Sequence, residues 1–144
     1  MSWVNIWIHL VFSTKNREPL LNKNIREKVF QHIKQNAKEK GIHIDSVKGF
    51  SDHCHCLLSL ENEQTISKVA QMIKGESSFW INKEKLIDGE FKWQNDYFAV
   101  SVSQSHLPVL RKYIWNQEEH HRKTSFTEEM DNFLKKYSVK YSLE

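Results

Sequence analysis

Apolar residues recur along this chain with two different periods, and the switches between them lay out its elements. From Val4 to Ser13 nearly every position is apolar, with Trp7, His9 and Val11 alternating against Ile6, Ile8, Leu10 and Phe12. Such a run predicts a central strand covered on both faces. A polar loop follows, Thr14-Lys15-Asn16-Arg17-Glu18-Pro19, closed by its proline. Ile25, Val29, Ile33 and Ala37 then recur at four-residue spacing, which predicts a helix from about Asn22 to Lys40. Asn22 or Asn24 suits its cap and Gly41 its stop. Ile42 to Val47 alternates as a second strand, and Lys48-Gly49-Phe50-Ser51 turns it back into a third, Asp52 to Leu60. Thr65 or Ser67 can cap a second long helix to about Lys85, with Ile66, Val69, Ile73, Trp80 and Ile81 on its apolar face. Gly75 in its middle costs about 1 kcal/mol against Ala, so close approach of a backbone or a ligand is expected there. Asp96 to Ser103 is the fourth strand, after Phe91 and Trp93, with Phe98, Val100 and Val102 on one face. A third helix runs from Leu107 to His121, with Pro108 in its first turn. Thr127 to Tyr137 is a short amphipathic helix, and Ser138 to Glu144 is expected to fray.

The order strand, helix, strand, strand, helix, strand is a βαββαβ core. It predicts an α+β fold, the ferredoxin-like (RRM-like) antiparallel four-stranded sheet with both long helices on one face. A further helix and a short C-terminal helix follow it. The first and third strands are central in that topology, which brings His9 close to His53 and His55. The uncovered face of the sheet needs a lid, and the third helix is available.

The third strand carries the candidate chemistry. Side chains alternate on a strand, so His53, His55, Leu57 and Ser59 share one face, and Cys54, Cys56, Leu58 and Leu60 the other. The second set suits a core. The first places two imidazoles side by side, able to hold a divalent ion if a third group reaches them. A structural role for either histidine is the plain alternative. The run His-Cys-His-Cys is not read as a zinc site, because the strand sends its thiols away from its imidazoles and the chain has no other Cys.

Composition narrows the class. A chain of 144 residues is expected to form one domain, residues 1–144. No apolar run approaches the roughly 20 residues of a membrane span, and Met1-Ser2-Trp3-Val4-Asn5 does not open a signal peptide. The two Cys are poorly placed to pair, as in a cytoplasmic protein. The net charge of +3 is mild, but basic residues gather on the helical stretches: Lys23, Arg26, Lys28, Lys34, Lys38 and Lys40 stand against Glu27 and Glu39 in the first. Such faces suit a polyanionic partner and are equally the faces of ordinary solvated helices.

On the third helix Tyr113 and Gln117 are four residues apart and share a face, with His121 one turn on and His120 beside it. Laid over the His pair, they make a specific chemical set. The phenol can attack a phosphodiester and form a phosphotyrosine. Gln offers a neutral oxygen to a metal ion, and imidazole with oxygen donors suits Mg²⁺ or Mn²⁺. Spacing alone would leave Tyr113 a packing residue; the His pair gives it a partner.

The residues now on the page resemble a known family. His9-Leu10-Val11-Phe12-Ser13-Thr14-Lys15, Asp52-His53-Cys54-His55-Cys56-Leu57-Leu58 and Ile73-Lys74-Gly75-Glu76-Ser77-Ser78 carry the resemblance. So do Phe91-Lys92-Trp93-Gln94, Tyr97 through Ser103, and Val109 through Tyr113 and Gln117 to His120-His121. The chain resembles the small insertion-sequence transposases of the His-hydrophobe-His class with one catalytic tyrosine, the IS200-like group, including those associated with repetitive extragenic palindromes. The resemblance implies a nucleophile at Tyr113 and a metal held by His53, His55 and Gln117. It implies single-stranded DNA with hairpin ends as substrate, 5′ linkage to the tyrosine, and a homodimer. Lys15, Arg17, Lys74 and Ser77 become candidates for gripping DNA, and Tyr97 for stacking on a base, whereas Trp93 reads as core. Cys54 stands where the family usually has a larger hydrophobe; a small apolar thiol facing the core preserves the strand. Two other readings use the same residues: a domesticated protein that binds hairpins without cutting them, and a hydrolase that uses water while Tyr113 is structural.

Overall fold

The computed structural model describes residues 1–136. Strands β1 (Ile6–Ser13), β2 (His43–Gly49), β3 (His53–Leu60) and β4 (Phe98–Val102) form one antiparallel sheet in the order β2-β3-β1-β4. With helices α1 (Arg26–Glu39) and α2 (Ile66–Lys83) in their chain positions, this is the ferredoxin-like α+β arrangement. Among the described residues no helix is long and apolar enough to cross a membrane.

Strand alternation decides the layers. Ile8, Leu10, Phe12, Cys54, Cys56 and Leu58 point to one face and meet Val29, Phe30 and Ile33 of α1 and Val69, Ala70 and Ile73 of α2 in the main core. Each fully buried side chain of the Val, Leu, Ile or Phe class there contributes about 1.5–3 kcal/mol relative to exposure. Phe91 and Trp93 close the core, and Trp93 lies edge-on to Phe12 and to Phe91 with ring centroids 4.7 Å apart in each case.

The other face is covered by α3 (Leu107–Trp115), α4 (Gln117–His121) and α5 (Phe126–Lys136). Two smaller apolar clusters form there. Leu57, Leu107, Leu110 and Ile114 pack with Trp7 and Val102. Val11, Phe98 and Phe126 pack with Val100, Met130, Phe133 and Leu134. In the seam between them the central strands present His9, His53 and His55, each buried.

Three expectations are corrected. The first helix begins at Arg26, because Asn22 builds a separate turn: its Oδ1 accepts the Asn24 N–H at 3.0 Å and its carbonyl accepts the N–H groups of Ile25 and Arg26. The stretch from Leu107 to His121 is two helices, broken where Asn116 takes φ −97° and ψ 24°. Asn competes locally with helical hydrogen bonding, which suits it to such a joint. Gly75 has no neighbour within 4 Å of where a Cβ would lie, so among the described residues no packed backbone accounts for it, and of the two expectations only approach of a ligand stays open. The short C-terminal helix, α5, is described from Phe126 to Lys136; Tyr137 and the segment Ser138 to Glu144 lie outside the described residues.

Candidate active site

The site forms where β1 and β3 face the break between α3 and α4. Register puts Ser13 opposite His53 and Val11 opposite His55, with His9 one step further along the same face of β1. Each ring on β3 is held by its Nδ1. His53 Nδ1 lies 2.8 Å from Asp52 Oδ1, and His55 Nδ1 lies 2.8 Å from His9 Nε2. His121 on α4 is held in the same way, its Nδ1 2.7 Å from the Thr124 carbonyl. A carbonyl and a carboxylate only accept, so these partners assign the proton of His53 and His121 to Nδ1. The His9–His55 contact joins two ring nitrogens; in the tautomer where His55 donates to His9, all three Nε2 atoms carry lone pairs, the form that binds a metal ion.

Those lone pairs converge on further acceptors. Gln117 Oε1 lies 3.1 Å from both His53 Nε2 and His121 Nε2. Glu129 Oε1, from α5, lies 3.0 Å from His55 Nε2, 3.5 Å from His121 Nε2 and 3.6 Å from His53 Nε2. The ligand atoms of His53, His55, His121 and Glu129 all lie within 4.8 Å of one another. Acceptors facing acceptors in a buried pocket repel unless a cation or a proton joins them. The donor set therefore fits a divalent ion, with the far ring nitrogens anchored as in metal–histidine sites. Burial, reinforced by His53, His121 and His120, holds His55 well below the usual imidazole range. Burial and His53 bring His121 down to about 4, and burial raises the Glu129 carboxyl to about 7. Neutral imidazoles are the form that binds metal.

Tyr113 reaches the same point from α3. Its hydroxyl donates to Glu129 Oε2, and its ring centroid is 5.6 Å from that of His55. Helix α3 is docked on the sheet by Leu107, Leu110 and Ile114, and an irregularity in β2 adds a polar tie to it. The pairing of β2 with β3 shifts between Ile44 and Ser46, leaving Asp45 as an extra residue. A bulge re-aims a side chain, and the Asp45 carboxylate receives Arg111 Nε of α3 at 3.0 Å. Arg111 pulls the Asp45 carboxyl below its ordinary range against the opposing effect of burial. Gln117 stays tied to the tyrosine across the break, its Nε2 donating to the Tyr113 carbonyl at 3.3 Å.

The structure thus brings Tyr113, His53, His55 and Gln117 together, with His9 behind them as expected. It adds His121, Asp52 and Glu129. The signal for Glu129 was present in the spacing: Phe126, Glu129, Met130 and Phe133 follow i, i+3, i+4, i+7, which puts an acid on the apolar stripe of α5.

The DNA-gripping candidates divide. Lys15 and Arg17 are exposed in the turn after β1, and Arg17 donates to Thr127 Oγ1 with its guanidinium 5.4 Å above Phe126. They adjoin a groove of about 780 Å³ whose walls include Arg17, Gln94, Tyr97 and Phe126. Lys74 is turned into its own chain, donating to the Asn95 carbonyl at 2.8 Å. Ser77 is a correction: it is buried, donates to the Ile73 carbonyl at 2.7 Å and accepts from Trp93 Nε1 at 2.9 Å, so its side chain is not available to DNA. Ser77→Ala is expected to lower stability by about 1–2 kcal/mol, by stranding the Trp93 donor, and to leave DNA affinity unchanged; urea melts and filter binding measure the two.

A cation-shaped donor set beside a phenol, on a ferredoxin-like sheet, has the makings of an enzyme that works on phosphodiesters. A family model described as "Transposase IS200 like" matches residues 2–117, and the chain belongs to that family. It is a transposase, an enzyme that acts on DNA. It is 26% identical over 117 residues to the ISDra2 transposase TnpA of Deinococcus radiodurans, across 77% of this chain and 83% of that one. The fold is shared with a protein of Deinococcus radiodurans R1 whose crystal structure is assigned to a transposase (TM-score 0.65, 21% identity, 81% of this chain and 93% of that one). It is also shared with a REP-associated tyrosine transposase bound to a REP hairpin (TM-score 0.62, 15% identity, 84% of this chain and 72% of that one).

Proposed function

We propose that this transposase cleaves and rejoins single-stranded DNA through a covalent 5′-phosphotyrosine on Tyr113. The observation that carries the reading is the convergence of His53, His55 and Gln117 acceptor atoms on one buried point beside the Tyr113 hydroxyl. Mg²⁺ or Mn²⁺ held there would polarise the scissile phosphodiester and draw charge from the departing oxygen.

The chain's own residues do the rest. Asp52, His9 and the Thr124 carbonyl orient the imidazoles, and the Asp45–Arg111 pair holds α3 so that Tyr113 stays aimed at the site. Tyr113 Oη forms the bond to phosphorus while the bond from phosphorus to the 3′ oxygen breaks, and the 3′ end leaves as an alcohol. A 3′-hydroxyl attacking the phosphotyrosine reverses the step and joins new ends. Lys15 and Arg17 contact phosphates at the mouth of the groove, Lys74 adds positive charge along α2, and Tyr97, partly exposed on the groove wall, stacks on a base. Hairpin-bearing single strands are the substrate, in keeping with the hairpin held by the REP-associated relative. The enzyme works as a homodimer in the cytoplasm, where Cys54 and Cys56 remain free thiols.

The test is label transfer. The protein is incubated with Mn²⁺ and a pool of end-labelled, hairpin-bearing single strands, then run on a denaturing gel. Label migrating with the protein, and absent with chelator, is the expected result. Free cleaved ends with no protein link would favour a water-using hydrolase. Binding on native gels with no cleavage in any strand of the pool would favour a hairpin-binding protein that does not cut.

A further inference from the structure

We infer that Glu129 is a working part of this centre, its Oε1 a further donor to the metal ion and its Oε2 the base that takes the proton of Tyr113. The inference rests on the phosphotyrosine mechanism proposed above and extends it to a helix beyond residues 2–117, the span the family model matches.

The position of the carboxylate is the first observation. Phe126, Met130 and Phe133 dock α5 on the sheet, and Glu129 is drawn under them with only 2% of its side chain exposed. A buried carboxylate is costly unless paired or bound to a metal. No Lys or Arg reaches it among the ion pairs of the described residues; its neighbours are the imidazoles of His53, His55, His120 and His121. The division of its two oxygens is the second observation. Oε1 faces the Nε2 atoms of His53, His55 and His121, a place where a cation or a proton must join acceptor to acceptor, and where neutral imidazoles leave room for a metal ion. Oε2 faces away from that point, accepts from the Tyr113 hydroxyl and lies 2.9 Å from His120 Nε2. One side chain therefore touches both the ligand cluster and the nucleophile.

The step balances. The Tyr113 proton passes to Glu129 Oε2 as Oη forms its bond to phosphorus. The bond from phosphorus to the 3′ oxygen breaks with its electron pair on that oxygen, which takes the proton back from the carboxyl. Rejoining runs the same transfer in reverse, and no proton is consumed over the cycle. The geometry meets the hydrogen-bond reach that a general base requires.

The experiment uses the full chain and Glu129→Gln, which keeps the shape and removes the charge. Titration calorimetry with Mn²⁺ alone should show affinity weaker by about tenfold or more. Single-turnover label transfer from the hairpin pool at saturating Mn²⁺ should slow by about 100-fold, with hairpin binding unchanged. The metal-free melting temperature should not fall, since only a buried charge is lost. Unchanged Mn²⁺ affinity overturns the donor role, and an unchanged transfer rate overturns the base. A metal-free melt that falls in step with the affinity would make Glu129 a packing residue and overturn both. If His53→Ala loses Mn²⁺ while Glu129→Gln keeps it, this inference fails and the metal-assisted phosphotyrosine reading stands; if the wild-type chain binds no Mn²⁺, both fail.

Discussion

Tyr113→Phe is expected to yield no protein-linked DNA, a fall of at least roughly 10⁴-fold in transfer, the scale seen when a nucleophile is removed. The substitution takes away one oxygen. The ring that lies edge-on to His55, His120 and Phe133 keeps its packing. Hairpin binding should therefore stay within about twofold, because the basic turn at Lys15 and Arg17 is untouched and phosphate contacts dominate such affinity. Denaturing gels read the covalent product and native gels the binding. The informative control is Tyr97→Phe, which removes the phenol of the neighbouring groove wall and should leave transfer within a few fold. Persistence of the adduct in Tyr113→Phe, with its loss in Tyr97→Phe, would move the nucleophile to the groove wall and sink the assignment.

His53→Ala should abolish metal-linked stabilisation. An ion present at about 100 times its dissociation constant stabilises the folded chain by about 2.7 kcal/mol, which corresponds to a rise of roughly 5–10 °C in melting temperature for a protein of this size. That rise is expected for the wild type with Mn²⁺ and is expected to vanish in His53→Ala. His53 is completely buried and stacked on Phe126 with centroids 4.2 Å apart, so some loss of packing accompanies the change. The comparison is therefore made within each protein, with Mn²⁺ against chelator, which cancels the packing loss. A full Mn²⁺ shift in His53→Ala would remove this imidazole from the ligand set.

Much of this arrangement was legible in the chain because strands write their two faces as alternation. His53 and His55 against Cys54 and Cys56 were assigned to opposite faces from spacing alone, and the structure divides them so. The pairing of the first and third strands followed from topology, and with it the contact between His9 and His55. What was illegible depends on exceptions to regular geometry. Asn116 does not announce that it will break a helix rather than sit in one. The two-for-one pairing at Asp45 has no spacing signature, yet it lets Asp45 tie β2 to Arg111 on the tyrosine's helix. Glu129 was missed for a different reason. Its spacing with Phe126, Met130 and Phe133 puts it on the apolar stripe, but an acid in a charged C-terminal helix is easily assigned to solvent while the sheet surface beneath it is unknown.

The seam on the open face has a consequence for the history of such a chain. His9, His53 and His55 lie between two apolar clusters that touch through Tyr113 and Phe133, and His9 Nδ1 is buried there without a hydrogen-bond partner among the described residues, a penalty of about 1–3 kcal/mol. On the proposed mechanism, reactivity here occupies a gap in hydrophobic coverage. Selection for stability alone would fill that gap with aliphatic side chains and leave the sheet intact. A lineage released from cutting DNA would thus keep its outline and lose its seam, so that filled histidine positions in a relative would date the end of its mobility more faithfully than any change of fold.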